Sequence, residues 1–513
     1  MRDFMQFTQD TAMKIIKMVG QLFVSNSVKR LAIFSAVFLL HACGSSSHHT
    51  EAVPNPTIEG PITGSPYLNS TSFDLASVGY EQAEYFISGN ARNFINDDEL
   101  QSNGKWRVKI GASALYKTRI VVYRPIDAHK FNGTVVIEWL NVSGGIDAGP
   151  DWTMAHTELI RQGYAWVGVS AQAAGIDGSG FNITGFQLNL KTVDPARYGS
   201  LLHPGDSFSY DMFSQAAQAV LHPQNIDPLD GLRVQRALAI GESQSAFRLV
   251  TYVDALALSA RLFDGYFIHS RGHGSAALSE TPQTAVAMPD TVFIRNDLRV
   301  PMMMLQTETD LFGLDFYPDR QADSPMFRLW EVAGTAHADT YTLSVGASDL
   351  GNDPNIANVL STAAPIPGII ECEHPVNSGP QHFVVSAAIA ALDNWARNGV
   401  APAHADRLEV SGTPPAFVLD SVGNVQGGVR TPYVDAPIAK LSGAGQTSSI
   451  LCGLLGTTEL FDSTTLSSLY PNHATYVAAV KTSVDNAVIN GFLLPPDGEL
   501  IKVWAQASTI GNP

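Results

Sequence analysis

Cysteine is scarce, three residues in 513, and none falls at the spacing of a zinc site. No His-Glu-x-x-His occurs, so zinc-protease chemistry has no anchor. The glycine-rich stretches never end in Lys-Ser/Thr, which removes the phosphate loop and with it ATP or GTP. Basic residues are outnumbered, 31 Lys and Arg against 48 Asp and Glu, for a formal net charge of −17. With no long basic run, a surface of that sign repels phosphate backbones and argues against nucleic-acid binding. Blocks of like charge are missing too, and with them any sign of a disordered interaction tail. No internal repeat is visible. What is left is a globular composition, 45% hydrophobic and 15% charged, implying no metal and no organic cofactor.

The N-terminus carries a targeting pattern. Lys29 and Arg30 precede an apolar run from Leu31 to Leu40 that is too short to span a membrane as a mature helix. Leu40-His41-Ala42-Cys43 is similar to a bacterial lipobox, although His41 is unusual in one. Residues 1–43 are therefore expected to form a lipoprotein-type signal peptide with Cys43 lipidated, the alternative being an ordinary signal or an uncleaved anchor. The protein is expected to be exported and lipid-anchored to a bacterial membrane, facing periplasm or exterior, with no other membrane contact. Residues 44–62, rich in Ser, His, Pro, Thr and Gly, read as a flexible linker, and 63–513 as one catalytic domain. Outside the signal, Cys372 and Cys452 remain. Export favours a disulfide between them, with two separate buried thiols as the alternative.

Apolar runs at Trp106–Ile110, Arg119–Tyr123, Thr134–Leu140, Tyr164–Ser170, Leu232–Ile240, Phe263–His269 and Val300–Gln306 read as strands. Most alternate with helical stretches, which predicts an α/β fold with a mainly parallel central sheet covered by helices on both faces. Gln381 to Asn398 reads as a helix stopped by Gly399. Residues 171–210 and 274–296 are irregular and are candidate lid or pocket insertions.

Acyl transfer by a serine needs that residue on a sharp strand-to-helix turn with small neighbours. Arg236 to Ala246 has this form, with an apolar strand leading into Gly241-Glu242-Ser243-Gln244-Ser245 and an apolar helical periodicity leading out. Ser245 stands where the motif usually has Gly. The Gly-x-Ser triplets at Ser113, Ser207 and Ser348 lack that context. Ser243 is thus the candidate nucleophile. In such a fold the acid and then the histidine follow in sequence. Thr307-Glu308-Thr309-Asp310 closes a buried-strand run, at the rim where an elbow would sit. Asp310 is the first choice for the acid and Glu308 the alternative. His337, in Ala333-Gly334-Thr335-Ala336-His337-Ala338-Asp339, is the candidate base. The oxyanion hole is expected from the backbone N–H of Gln244 and that of Val142, in the loop after the third strand.

Phe131 to Val142, Gly241 to Ala246, Thr307 to Asp310, Ala333 to Asp339 and Gly423 to Arg430 together resemble a bacterial family of α/β-hydrolase domain-containing proteins. The likeness runs from about residue 75 to the C-terminus and takes in Cys372 and Cys452. It implies an α/β-hydrolase fold and a Ser-acid-His hydrolase site, and Ser245 is ordinary within it. The expected function is hydrolysis of carboxylic esters of small molecules through an acyl-enzyme. The alternatives are an acyltransferase with the same triad and a ligand-binding surface lipoprotein on an inactive scaffold.

Overall fold

Nine strands line up as β1-β2-β3-β5-β4-β6-β7-β8-β9 in the computed structural model, which describes residues 52–512 except residue 181. The segment expected to be a signal peptide, Cys43 included, lies outside the described residues. Strands β4 (Thr134–Trp139), β5 (Ala165–Val169), β6 (Arg236–Glu242), β7 (Gly265–His269), β8 (Met302–Thr307) and β9 (Phe327–Val332) run parallel. All are buried along their length apart from the first residue of β6, as expected for a sheet covered on both faces.

Alternate residues of each strand feed two separate cores. Val135, Ile137 and Trp139 of β4 face helices α2 (Ser209–Leu221) and α3 (Gln244–Ala260). Val136, with Leu238 and Ile240 of β6, faces α1 (Pro150–Arg161) and α4 (Gln381–Asn398). Trp139, Trp152, Trp166 and Trp330 are among the largest fully buried side chains. At about 25 cal/mol per Å², burying each contributes roughly 5 kcal/mol as an upper bound. Helix α4 runs as its sequence predicts and ends at Gly399, which takes φ 71° as the cap.

The antiparallel edge departs from expectation. Trp106–Ile110 and Arg119–Tyr123 are not two strands, because one continuous strand, β3 (Val108–Pro125), takes in all of the second and the first from Val108 onward. It pairs with β2 (Tyr80–Asn96), which the apolar runs did not reveal. The polar residues that masked these strands sit partly on the exposed first half of β3, and partly in buried ion pairs such as Arg119 with Glu84 at 3.0 Å. Within the segment expected to be a flexible linker, Thr57–Glu59 forms strand β1 and pairs with β2, and Glu59 bonds Lys117 at 2.7 Å. Its two β-branched residues suit an edge strand in spite of the surrounding prolines.

The chain fills β5 on one side of β4 and then crosses to β6 on the other. That reversal opens a crevice at the C-terminal ends of β4 and β6, because the helices that follow them, α1 and α3, lie on opposite faces. The C-terminal helices α5 (His473–Ile489) and α6 (Pro495–Ala507) form a third core with the hairpin Ala439–Ser442/Thr457–Leu460. No helix among the described residues is long and apolar enough to cross a membrane.

Candidate active site

Strand β6 ends at Glu242, α3 begins at Gln244, and Ser243 makes the entire turn with φ 55° and ψ −120°. A non-glycine residue with positive φ is strained, and such strain collects where a side chain must be presented. The turn is held from three sides. The Ser243 N–H donates to the His269 carbonyl at 2.9 Å. The Ser245 hydroxyl donates to the Glu242 carbonyl at 2.7 Å and accepts the Glu242 N–H at 3.2 Å. Ser245 therefore does what a glycine there could not, closing the polar groups of the turn with its own side chain.

The Ser243 hydroxyl donates to His337 Nε2 at 2.8 Å, and His337 Nδ1–H donates to Asp310 Oδ1 at 2.7 Å. Asp310 Oδ2 accepts the Thr307 N–H at 2.7 Å as half of a capping box on the helical turn Glu308–Phe312, so both carboxylate oxygens are fixed. Of the two carboxylates after β8, it is Asp310 that meets the histidine. Glu308 points elsewhere, accepting Gly334 N–H at 2.7 Å and Gly443 N–H at 2.9 Å. It thereby ties the histidine loop to the C-terminal hairpin. Gly443 is required there because a Cβ would lie 2.4 Å from the Thr309 nitrogen and 2.5 Å from Glu308 Cβ. On the far side, Val429 bridges to Val332 and holds the start of the histidine loop. A Cβ on Gly428, whose φ is +69°, would meet the Glu331 carbonyl at 2.6 Å.

Neither Gln244 N–H nor Val142 N–H donates to any described residue, whereas the neighbouring Ser143 N–H is spent on Asn141 Oδ1 at 2.8 Å. Asn141 also bonds the Glu242 carboxylate at 3.1 Å and the Glu242 carbonyl at 3.2 Å, coupling the Val142 loop to the elbow. The base of that loop is anchored by Asp147, which pairs with the fully buried Arg119 at 2.9 Å.

Burial alone would lower the His337 pKa, but the Asp310 hydrogen bond and charge, with the Glu242 charge, raise it above the ordinary imidazole value. Glu242 lies 3.5 Å from Nε2, and burial pushes its own pKa up to about 7. Burial likewise takes Glu308 up to about 7 against the pull of its two backbone donors.

A second buried histidine-carboxylate pair lies behind the elbow. His269 Nδ1 bonds Asp151 Oδ1 at 2.8 Å, and His269 Nε2 accepts from the Gln381 amide at 3.1 Å. Burial drives the His269 pKa down to about 4 and raises that of Asp151 well above the carboxylate range. Nearby, Glu138 accepts the Asp151 and Trp152 N–H groups, both at 3.0 Å, and so caps α1 from the middle of the sheet. Sequence reasoning overlooked Glu242, whose adjacency to Ser243 was the available signal. Among the described residues no His, Cys, Asp or Glu cluster could hold a metal ion.

A family profile described as the alpha/beta hydrolase domain matches residues 53–502. The chain belongs to this family. No curated protein matches the hydrolase significantly in sequence. Among solved structures it is similar to fungal esterases from Rhizomucor miehei, at 10% identity and a TM-score of 0.29 over 61% of this chain and 85% of that one. A glucuronoyl esterase from Solibacter usitatus matches at 12% identity and a TM-score of 0.26, over 52% and 72%. An α/β serine hydrolase without lid from Xanthomonas campestris matches at 13% and 0.25, over 42% and 78%. At these identities and scores the likeness says nothing of what the hydrolase cleaves.

The hydrolase closes one disulfide, Cys372–Cys452. It lies beside a cavity of about 450 Å³ that opens on Ser243 and His337. Both irregular segments contribute to that cavity, Ile183 from the first and Ala276 and Ala277 from the second.

Proposed function

We propose that this chain is a serine esterase acting on carboxylic esters of small molecules. The observation that carries the reading is the continuous relay from the Ser243 hydroxyl through His337 to Asp310, at 2.8 and 2.7 Å, on a positive-φ elbow. Ser243 Oγ attacks the ester carbonyl while its proton passes to His337 Nε2, and Asp310 holds the imidazole in the tautomer that can accept it. The tetrahedral oxyanion takes hydrogen bonds from the uncommitted N–H groups of Gln244 and Val142, each donor being worth roughly 3 kcal/mol. Collapse expels the alcohol, which leaves with the proton from His337, and an acyl-Ser243 ester remains. Water then loses a proton to His337, attacks the acyl carbon and releases the acid with Ser243 restored.

Lipidation at Cys43 would keep the enzyme on a membrane surface facing away from the cytoplasm, its only membrane contact. The test of the catalytic reading is turnover of a panel of aryl and alkyl esters by wild type and Ser243→Ala. Turnover that falls by at least about four orders of magnitude in the variant supports it. Equal activity in both proteins refutes Ser243 as nucleophile. An alcohol acceptor that outcompetes water would turn the reading toward acyl transfer.

A further inference from the structure

The cavity at Ser243 has a composition that bears on the substrate. Its walls are apolar at Ile183, Phe247, Leu314, Ile450 and Leu454, and its volume lies within the range of small-molecule sites. Besides His337, the charged side chain in the wall is Arg248, whose guanidinium already meets Asp206 at 3.0 Å and Glu280 at 3.5 Å. No cation in that wall is left to receive an anion, and a protein of net charge −17 discourages one further.

Two of the apolar wall residues sit at either end of one short helix. Ile450 opens the turn Ile450–Gly453, Leu454 follows it, and Cys452 between them is bonded to Cys372. A turn of four residues has little stability of its own. This one is held by the bridge, by Ser449 as its cap, and by the Leu454 carbonyl, which accepts the N–H of Ala338 at 3.2 Å. Ala338 is the residue after His337, so the wall is also joined to the loop that carries the base. Ile450 remains 82% exposed, an apolar side chain at the mouth of the cavity with little protein covering it.

We infer that the substrates are uncharged esters with one large apolar arm, and that the Cys372–Cys452 bridge holds the wall against which that arm packs. This rests on the esterase reading above and adds the substrate class and its specificity residues, Ile450 and Leu454. The arm is the acyl or the alcohol group. Each methylene it buries is expected to raise kcat/KM by about fourfold until the cavity is full. An arm ending in a carboxylate would enter a wall with no free counter-charge.

The experiment measures kcat/KM on two series, p-nitrophenyl acetate, butyrate and octanoate, then ethyl, butyl and octyl acetate. The p-nitrophenyl monoester of suberic acid serves as the anionic match to the octanoate. We expect one series to rise by at least about tenfold from its shortest to its longest member. The suberate monoester should fall at least about tenfold below octanoate. Leu454→Trp, which fills the cavity, should lower the long-to-short ratio by about tenfold. Cys372→Ser/Cys452→Ser should lower the same ratio mainly through KM while a phosphonate probe still labels Ser243. Should the double variant not fold, the ratio is read on wild type reduced under native conditions. A flat or falling response in both series, a rising acyl series with a suberate monoester equal to octanoate, or a ratio unmoved by Leu454→Trp and by loss of the bridge would overturn the inference. If the probe does not label Ser243 and acetate is not turned over, the esterase reading itself fails. Labelling with acetate turnover but no preference sinks only the inference.

Discussion

Two histidine-carboxylate pairs lie within the same buried region, and they differ in the direction of the histidine pKa shift and in outlet rather than in the histidine-carboxylate bond. His337 meets Asp310 at 2.7 Å and His269 meets Asp151 at 2.8 Å. The second nitrogen of His337 faces a strained serine hydroxyl at an open cavity, while that of His269 is closed off by the Gln381 amide. Neighbouring carboxylates raise the pKa of His337, whereas burial wins at His269 and lowers it to about 4. A histidine becomes a useful base through what its other nitrogen can reach, and the carboxylate partner alone does not confer the role.

The sharpest way to break this contrast is to exchange the variants between the pairs. Asp310→Asn should cut kcat by about four orders of magnitude, because the imidazole loses the partner that fixes its tautomer. His269→Gln should reduce kcat/KM by less than about tenfold and cost about 1–3 kcal/mol of stability, since it leaves buried Asp151 without its partner. Steady-state kinetics and urea unfolding on both variants measure this. Comparable kinetic losses would show that the two pairs work as one unit.

Glu308→Ala is the next test, because it separates the two carboxylates after β8. It frees the Gly334 and Gly443 N–H groups, so a loss of about 2 kcal/mol in stability is expected. Activity should fall far less than in Asp310→Asn. An equal collapse of activity with stability intact would make Glu308 part of the chemistry.

Acid titration sharpens the contrast further. The folded protein holds His269 neutral down to about 4, while the unfolded chain protonates it near 6.5. The unfolded state therefore binds more protons between those values, and this stability, present above 6.5, is lost as pH falls toward 4. The contribution is roughly 3 kcal/mol. Urea midpoints should decline over that window in wild type and decline less in His269→Gln. Identical slopes would contradict the burial argument.

The smallest expected effect concerns Glu242. His337 must be neutral to accept the serine proton, so kcat/KM should rise with pH through a value above the ordinary imidazole range. Glu242→Gln removes a negative charge 3.5 Å from Nε2 and should move that limb to lower pH. A limb that stays in place would mean that Glu242 is already protonated when His337 titrates.

Much of this was legible in the order of residues. Five of the six buried parallel strands, β4 to β8, announced themselves as apolar runs, and α4 with its Gly399 stop was plain, because burial on both faces and helix termination are written locally. The elbow was readable for the same reason: a strand, small residues and a helix in succession define it. The paired strands β2 and β3 were hidden, since polar residues on the exposed first half of β3 and buried charged residues such as Glu84, Arg92 and Arg119 break the pattern. The ordered Thr57–Glu59 was hidden by its proline-rich surroundings.

By itself the sequence determined the parallel sheet, the strand-to-helix turn at Ser243 and a short set of acids and histidines that could serve it. The sequence put Asp310 ahead of Glu308, but only the tertiary structure shows which of the two meets His337, because that depends on which carboxylate the capping turn after β8 directs at the His337 loop. It also decided that Cys452 should stand beside the cavity and Glu242 beside the imidazole. Local propensity acts over a few residues, whereas those contacts close over tens of residues of chain and exist only once the sheet has brought its C-terminal edge together.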